Sequence, residues 1–216
     1  MARAPVAGRC KTRLAPTLGA GGAARLYAAM LGDTLDGLAR AGAWRLVVLA
    51  APGDFGVATL RRIAHEPWTV IAQEGDDRAS WIANAFQTLG AHGGPLILAR
   101  CDVPMLPFAA LADAMGAFGT ERGAIVGPCD NGTAYVVGMS GIEPGILRDI
   151  PPADDGRTDV VGWLRAQCLA RKLPLIELPS AHHVERAEDV ERLRLELAAH
   201  PERAPRTATF LRESPP

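Results

Sequence analysis

The chain has 216 residues, with 23 lysines and arginines against 24 aspartates and glutamates, and 48% of its residues are hydrophobic. So even a balance excludes a generally basic nucleic-acid coat, and that apolar fraction excludes disorder along the whole length. A chain of this length buries enough surface to fold without disulfide or metal staples, and one domain over residues 1–200 is expected.

Helical spacing of Leu26, Met30, Leu31, Leu35 and Leu38 predicts a helix from Gly21 to Ala41. A buried strand follows at Arg45–Ala50, then a turn at Ala51–Asp54, a short helix over Val57–His65 and a strand at Thr69–Ala72. Trp81, Ile82, Ala85, Phe86 and Leu89 share one face of a helix over Asp77–Ala91. Pro95–Ala99 is apolar throughout, the pattern of a strand covered on both faces. Phe108–Phe118 reads as a helix, Ala124–Val126 and Ala134–Met139 as strands, Thr158–Arg171 as a helix and Leu175–Leu178 as a last strand. Ala187–His200 is a charged amphipathic helix, and Pro201–Pro216, with four prolines and no period, reads as a disordered tail. This alternation predicts an α/β fold, three-layered, with a mostly parallel sheet and helices on both faces.

The four cysteines, Cys10, Cys101, Cys129 and Cys168, have no zinc-type spacing and read as reduced thiols. No apolar run reaches the roughly 18 residues of a membrane span, and the N-terminus lacks a signal peptide's apolar segment. A cytoplasmic location is expected.

In open α/β sheets ligands bind beyond the carboxyl ends of the strands. Asp102 stands there, after Pro95–Ala99. A carboxylate in that position suits Mg²⁺ or Mn²⁺ bridging to phosphate oxygens; the alternatives are a helix cap or a pair with Arg100. The N-terminal segment gathers Arg3, Arg9, Lys11 and Arg13 around Pro5 and Gly8. Gly8 permits close backbone approach and the cations suit phosphate, although a solvated basic terminus has the same composition. Asn131-Gly132 is a turn signal. His182-His183 lacks a third histidine at metal-binding spacing, and Glu185 fits the first turn of a helix. Cys101 beside Arg100 and Asp102 has no histidine that the sequence places as a partner for nucleophilic chemistry.

Taken together, these segments resemble a known family. Ala2 to Pro16 is similar to ARAPVPGRVKTRLAP, the opening of the bacterial glycosyltransferase-A-like family, also described as phospholactate guanylyltransferase-like. Leu18-Gly19, Ala24, Leu26-Tyr27 and Asp33-Thr34-Leu35 match its first helix. Gln73, Gly75-Asp76 and Ala85-Phe86 match Q-x-x-G-D…A-F. Asp102 and Pro104 match G-[TS]-D-x-P, while Gly127-Pro128, Gly132, Tyr135 and Gly138 match GPAxDGGYYLIGL. Glu188-Asp189 matches the end of DVDTPEDL.

The resemblance implies a nucleotide-diphospho-sugar transferase fold of GT-A type, binding a nucleotide or nucleotide-sugar. It implies phosphate or nucleotide contacts at Arg3, Gly8, Arg9, Lys11, Arg13, Gln73, Asp76, Asn131 and Gly132, and catalytic roles for Asp102 and Lys11. A Mg²⁺ or Mn²⁺ ion would lie at Asp102 and Glu185. The implied reaction is metal-assisted transfer from a nucleotide-activated sugar; the alternatives are nucleotidyl transfer from an NTP and a non-catalytic nucleotide-binding relative. Three positions depart from the pattern: Arg100 replaces the usual glycine, Asn131-Gly132-Thr133 replaces DGG, and His183-Val184-Glu185 replaces DVD. Family members also carry an apolar strand before ARAP, where Met1 stands here, so the usual first strand is expected to be missing.

Overall fold

The computed structural model describes residues 1–42, 45–90, 95–118, 122–140 and 159–214. In chain order they form β1 (Ala2–Arg3), a 3-10 turn (Thr12–Leu14), α1 (Ala15–Ala41), β2 (Val47–Ala51), α2 (Gly53–Leu60), β3 (Thr69–Ala72), α3 (Arg78–Gly90) and β4 (Leu96–Ala99). There follow α4 (Phe108–Phe118), β5 (Gly123–Pro128), β6 (Ala134–Ser140), α5 (Val160–Arg171), β7 (Leu175–Glu177), α6 (Ala187–Ala199), a second 3-10 turn (Pro201–Arg203) and α7 (Pro205–Glu213). The fold is α/β, and most strand pairings are parallel: β1–β2, β2–β3 and β5–β7 against the antiparallel β4–β6 and β5–β6. Of the residues assigned from sequence to helix ends and tail, Ala91, Thr158, Pro215 and Pro216 lie outside the described residues. Among the described residues no helix is long and apolar enough to cross a membrane.

The chain divides into two compact units, the first Met1–Ala72, Cys101–Leu106 and His182–Pro216, the second Gln73–Arg100 and Pro107–Ala181. No linker was visible in the sequence because the chain passes between the units four times, each time within a run of ordinary composition.

In the first unit β1, β2 and β3 form a parallel sheet in that order. Ala2 lies beside Ala50 and Arg3 beside Ala51, so a short first strand is present, made from residues expected to lie in the phosphate loop. Helix α1 is the unit's spine. Leu31 and Leu35 pack with Ala2, Val48, Ala50, Val70 and Leu60. Leu26, Tyr27 and Met30 pack with Val184, Val190, Leu193, Leu197, Ala208 and Leu211 from the C-terminal part of the chain. The helix begins six residues earlier than its apolar period suggested, with Pro16 in its first turn, and kinks at Gly19, whose φ of 69° suits a residue without a side chain. Helix α2 also begins earlier than predicted. Gly56 makes this possible: a Cβ there would sit 2.6 Å from the Ala51 carbonyl carbon.

The second unit holds a four-stranded sheet in the order β4-β6-β5-β7. A tight turn joins β5 to β6, with the Cys129 N–H bonded to Thr133 O at 2.7 Å and the Gly132 N–H to Cys129 O at 3.0 Å. So short a connection forces the two strands antiparallel. Tyr135 lies flat over Gly127, where any Cβ would overlap its ring, and its hydroxyl donates to Pro179 O at 2.9 Å. Asp159 caps α5 by accepting the Gly162 N–H at 2.7 Å.

The segment from Pro201, expected to be disordered, is folded. Ala204, Thr207, Ala208 and Leu211 are buried, and α7 packs along α1. Ala204 offers no side-chain cap, so α7 takes its cap from a distant helix. The buried Asp33 carboxylate of α1 accepts the N–H groups of Arg206 (3.0 Å) and Thr207 (2.8 Å) and the Thr207 hydroxyl (2.7 Å). A carboxylate there satisfies orphan donors and favours the positive end of the helix dipole. At the other end Arg194 of α6 donates to the carbonyls of Leu211 and Ser214. Composition showed the prolines but not these partners. Replacing Asp33 with alanine is expected to cost about 2–3 kcal/mol, the scale of lost hydrogen bonds to a buried charge, and to open the α7 segment to protease. Urea midpoints and limited proteolysis of both proteins measure this.

Candidate functional site

Arg3, Gly8, Arg9, Lys11, Arg13, Asp102 and Glu185 all belong to the first unit; Gln73, Asp76, Asn131 and Gly132 belong to the second. The basic loop leaves the sheet with the Ala4 N–H bonded to Ala51 O at 2.8 Å. It turns twice, through Val6 N–H to Ala4 O and Arg9 N–H to Val6 O, each at 2.9 Å. Gly8 has a φ of 73°, and nothing lies within 4 Å of where a Cβ would stand, so this stretch of backbone is open. The side chains of Arg3, Arg9 and Arg13 are exposed. Tyr27, buried in α1, accepts the Arg3 N–H at 3.0 Å and ties the start of the loop to the spine. Its burial pushes the phenol well above its ordinary range, so it stays neutral.

Lys11, by contrast, is mostly buried. Its backbone is left-handed, at φ 46° and ψ 42°, a conformation that costs a lysine about 1 kcal/mol and persists where contacts fix it. Those contacts are at the ammonium. Nζ donates to Asp102 Oδ2 at 2.7 Å and to the Val184 carbonyl at 2.6 Å. The two charged side chains are only 11% and 14% exposed. Asp102 and Val184 are joined directly as well, the Val184 N–H donating to Asp102 O at 3.0 Å. Three segments far apart in sequence therefore meet at one ammonium group.

The segment after Ala181 is fastened by Asp189. Its Oδ2 accepts the N–H groups of Glu185 (2.8 Å) and Arg186 (2.7 Å), a helix-start carboxylate reaching back over the first turn. Its Oδ1 lies 3.1 Å from His182 Nε2. Arg192 Nη1 lies 3.2 Å from the other ring nitrogen of His182, Nδ1. Glu185 pairs with Arg13 at 2.6 Å and with His183 Nε2 at 3.1 Å. The sequence singles out His183 only as half of a histidine pair without a third ligand, whereas it is buried and pairs with Glu185; the Val184 carbonyl gives no side-chain signal at all.

In the second unit Gln73 and Asp76 lie in the segment that leads into α3. The Ser80 hydroxyl accepts the N–H groups of Asp76 and Asp77 at 3.1 Å, and Asp77 accepts the Ser80 N–H at 2.7 Å, a reciprocal cap. The Asn131 carboxamide oxygen accepts from the Thr133 N–H (3.2 Å) and hydroxyl (2.7 Å), which fastens the β5–β6 turn.

A divalent cation was expected at Asp102 and Glu185. Asp102 already holds an ammonium, and Glu185 holds a guanidinium and an imidazole. Among the described residues no group of three histidine, cysteine, aspartate or glutamate side chains is arranged to hold a metal ion. Asp102 and Glu185 are thus each engaged by the protein's own cations, and by themselves they form no closed cation cage.

The family described as "Uncharacterized protein conserved in bacteria (DUF2064)" matches residues 34–153, more than half of the chain. The chain belongs to the DUF2064 family. A crystal structure from Desulfovibrio desulfuricans G20, named as a candidate nucleotide-diphospho-sugar transferase, is similar to this DUF2064 protein with a TM-score of 0.87 and 25% sequence identity. The likeness covers 98% of this chain and 91% of that one. No curated protein matches.

Two carboxylates of this DUF2064 protein give its stability a pH dependence. Burial raises the Glu185 carboxyl, but the His183 hydrogen bond and the charges of Arg13 and Lys11 outweigh it, and the group ionises below its ordinary range. Burial likewise raises Asp189, and the Glu185 and Arg186 N–H groups and His182 pull it lower. A depressed folded-state value stabilises the protein above the ordinary carboxylate range, and that stability is lost as pH falls through the folded-state value. Urea midpoints taken from neutral to acid pH are expected to fall in that window, and Asp189→Asn is expected to flatten the fall.

Proposed function

We propose that this protein is a transferase acting on a nucleotide-activated sugar, and that the basic loop and Lys11 bind its diphosphate. The observation that carries this reading is the fixed, mostly buried Lys11 ammonium at the end of an open, arginine-flanked loop. A lysine ammonium has three N–H donors. Asp102 and Val184 take two; the third is left for a phosphate oxygen. The fold likeness to a candidate nucleotide-diphospho-sugar transferase supports the choice of substrate class.

In this reading an acceptor hydroxyl oxygen attacks the anomeric carbon of the sugar and gives up its proton to solvent. The bond from that carbon to the diphosphate oxygen breaks, and the nucleoside diphosphate leaves with the electron pair. Negative charge grows on the diphosphate as the bond breaks. Lys11, already oriented and poorly screened, stabilises that charge without reorganising. Arg3, Arg9 and Arg13, exposed on the same segment, add guanidinium contacts in this reading. Metal assistance is no part of this reading, which takes its positive charge from Lys11 and the arginines. The four cysteines are buried and in no disulfide, which suits a cytoplasmic enzyme.

The test is a melting screen of nucleoside triphosphates, nucleoside diphosphates and nucleotide-sugars, followed by product analysis. A ligand present at about 100 times its dissociation constant adds about 2.7 kcal/mol of stability, a shift of several degrees. Release of nucleoside diphosphate from a nucleotide-sugar is the expected result. Release of pyrophosphate from a triphosphate instead would reassign the protein to nucleotidyl transfer, and no shift with any of them would reject the reading.

A further inference from the structure

The structure sets Lys11 where the family resemblance leads one to expect a divalent cation. Asp102 is the carboxylate that would hold the ion, and the ammonium is 2.7 Å from its Oδ2. This is no loose surface pair: both side chains are mostly buried, so solvent and salt screen the attraction weakly. Lys11 is anchored a second time by the Val184 carbonyl, and its left-handed backbone fits that one placement. The second carboxylate is engaged as well. Glu185 holds Arg13 on Oε1 and His183 on Oε2, and His183 itself stands where DVD has its first aspartate. A cation held by Asp102 and Glu185 would have to share each carboxylate with a positive charge already on it, Lys11 at Asp102 Oδ2 and Arg13 at Glu185 Oε1, and would be repelled by both. A diphosphate meets no such repulsion, because the remaining Lys11 N–H and the exposed arginines can receive it while both ion pairs stay in place.

We propose that this site takes the diphosphate of its ligand without a divalent cation, with the Lys11 ammonium in the place of the metal and Asp102 as its positioning residue. This rests on the nucleotide reading above and adds to it the source of positive charge.

The experiment uses the full chain, freed of metal with EDTA, and ADP, CDP, GDP, UDP and dTDP as probes. Dissociation constants are measured by calorimetry in EDTA and again with Mg²⁺ or Mn²⁺. The expected result is one preferred diphosphate whose affinity agrees within about two-fold across these conditions. Lys11→Met is expected to weaken it by about ten- to a hundred-fold, the range of a lost charged hydrogen bond. Asp102→Asn supplies the opposite sign. The amide oxygen still accepts from Lys11 while a negative charge is removed, so anion binding holds or tightens, whereas a metal-dependent site would lose it. Because the Asn side chain is close in shape, this variant and the EDTA comparison decide the matter even if Lys11→Met fails to fold. Binding that requires Mg²⁺ or Mn²⁺ and vanishes in Asp102→Asn, or binding unaffected by Lys11→Met, overturns the proposal and leaves the nucleotide reading standing. No binding of any diphosphate under any condition overturns both.

Discussion

Burying an ammonium is costly unless its donors find partners, and the first unit is organised around meeting that cost for Lys11. Asp102 supplies the counter-charge and Val184 a carbonyl. Each partner lies on a different stretch of chain, so the loop after β1, the turn after β4 and the segment before α6 must arrive together. The Val184 N–H on Asp102 O joins the last two directly. Asp189 then fixes the backbone just beyond Val184 by accepting two consecutive N–H groups. Remove any of these and Lys11 loses the contacts that hold a lysine in left-handed conformation.

The same dependence runs outward to the C-terminus. Tyr27 holds the start of the basic loop through the Arg3 N–H, and Tyr27 lies in the cluster that α1 forms with α6 and α7. Helix α7 stays on α1 because Asp33 caps it and Arg194 closes its far end. A helix of nine residues is too short to stand alone in water, so its order comes from these contacts. The last turns of the chain thus help set the position of its first residues.

This also separates what was legible in the sequence from what was not. The alternation of apolar strands and amphipathic helices carried the α/β class, because burial imposes its period on side chains. Lys11 and Asp102 were legible because each has a charged side chain inside a recognisable run. The Val184 carbonyl was not, since every residue has one. Helix α7 was misread as a tail because its stability comes from residues some 170 positions away, and four prolines dominate its local signal. The boundaries of α1 and α2 moved for a local reason: Pro16, Gly19 and Gly56 do not contribute to an apolar period, yet they decide where the backbone can start, bend and approach a strand.

The departures from the family pattern at the candidate site are better understood together than singly. With aspartates at positions 183 and 185, Lys11 and Arg13 would face three carboxylates, an excess of negative charge that invites a cation. His183 removes one of these charges, and Glu185 has the length to reach both Arg13 and His183. Lys11 then faces Asp102 and Arg13 faces Glu185, and these pairs still present oriented N–H donors. Donors fixed before the ligand arrives need no reorganisation when charge develops beside them. On the proposed reading, substitutions that look like erosion of a metal site exchange one source of positive charge for another, with a diphosphate as the ligand of both.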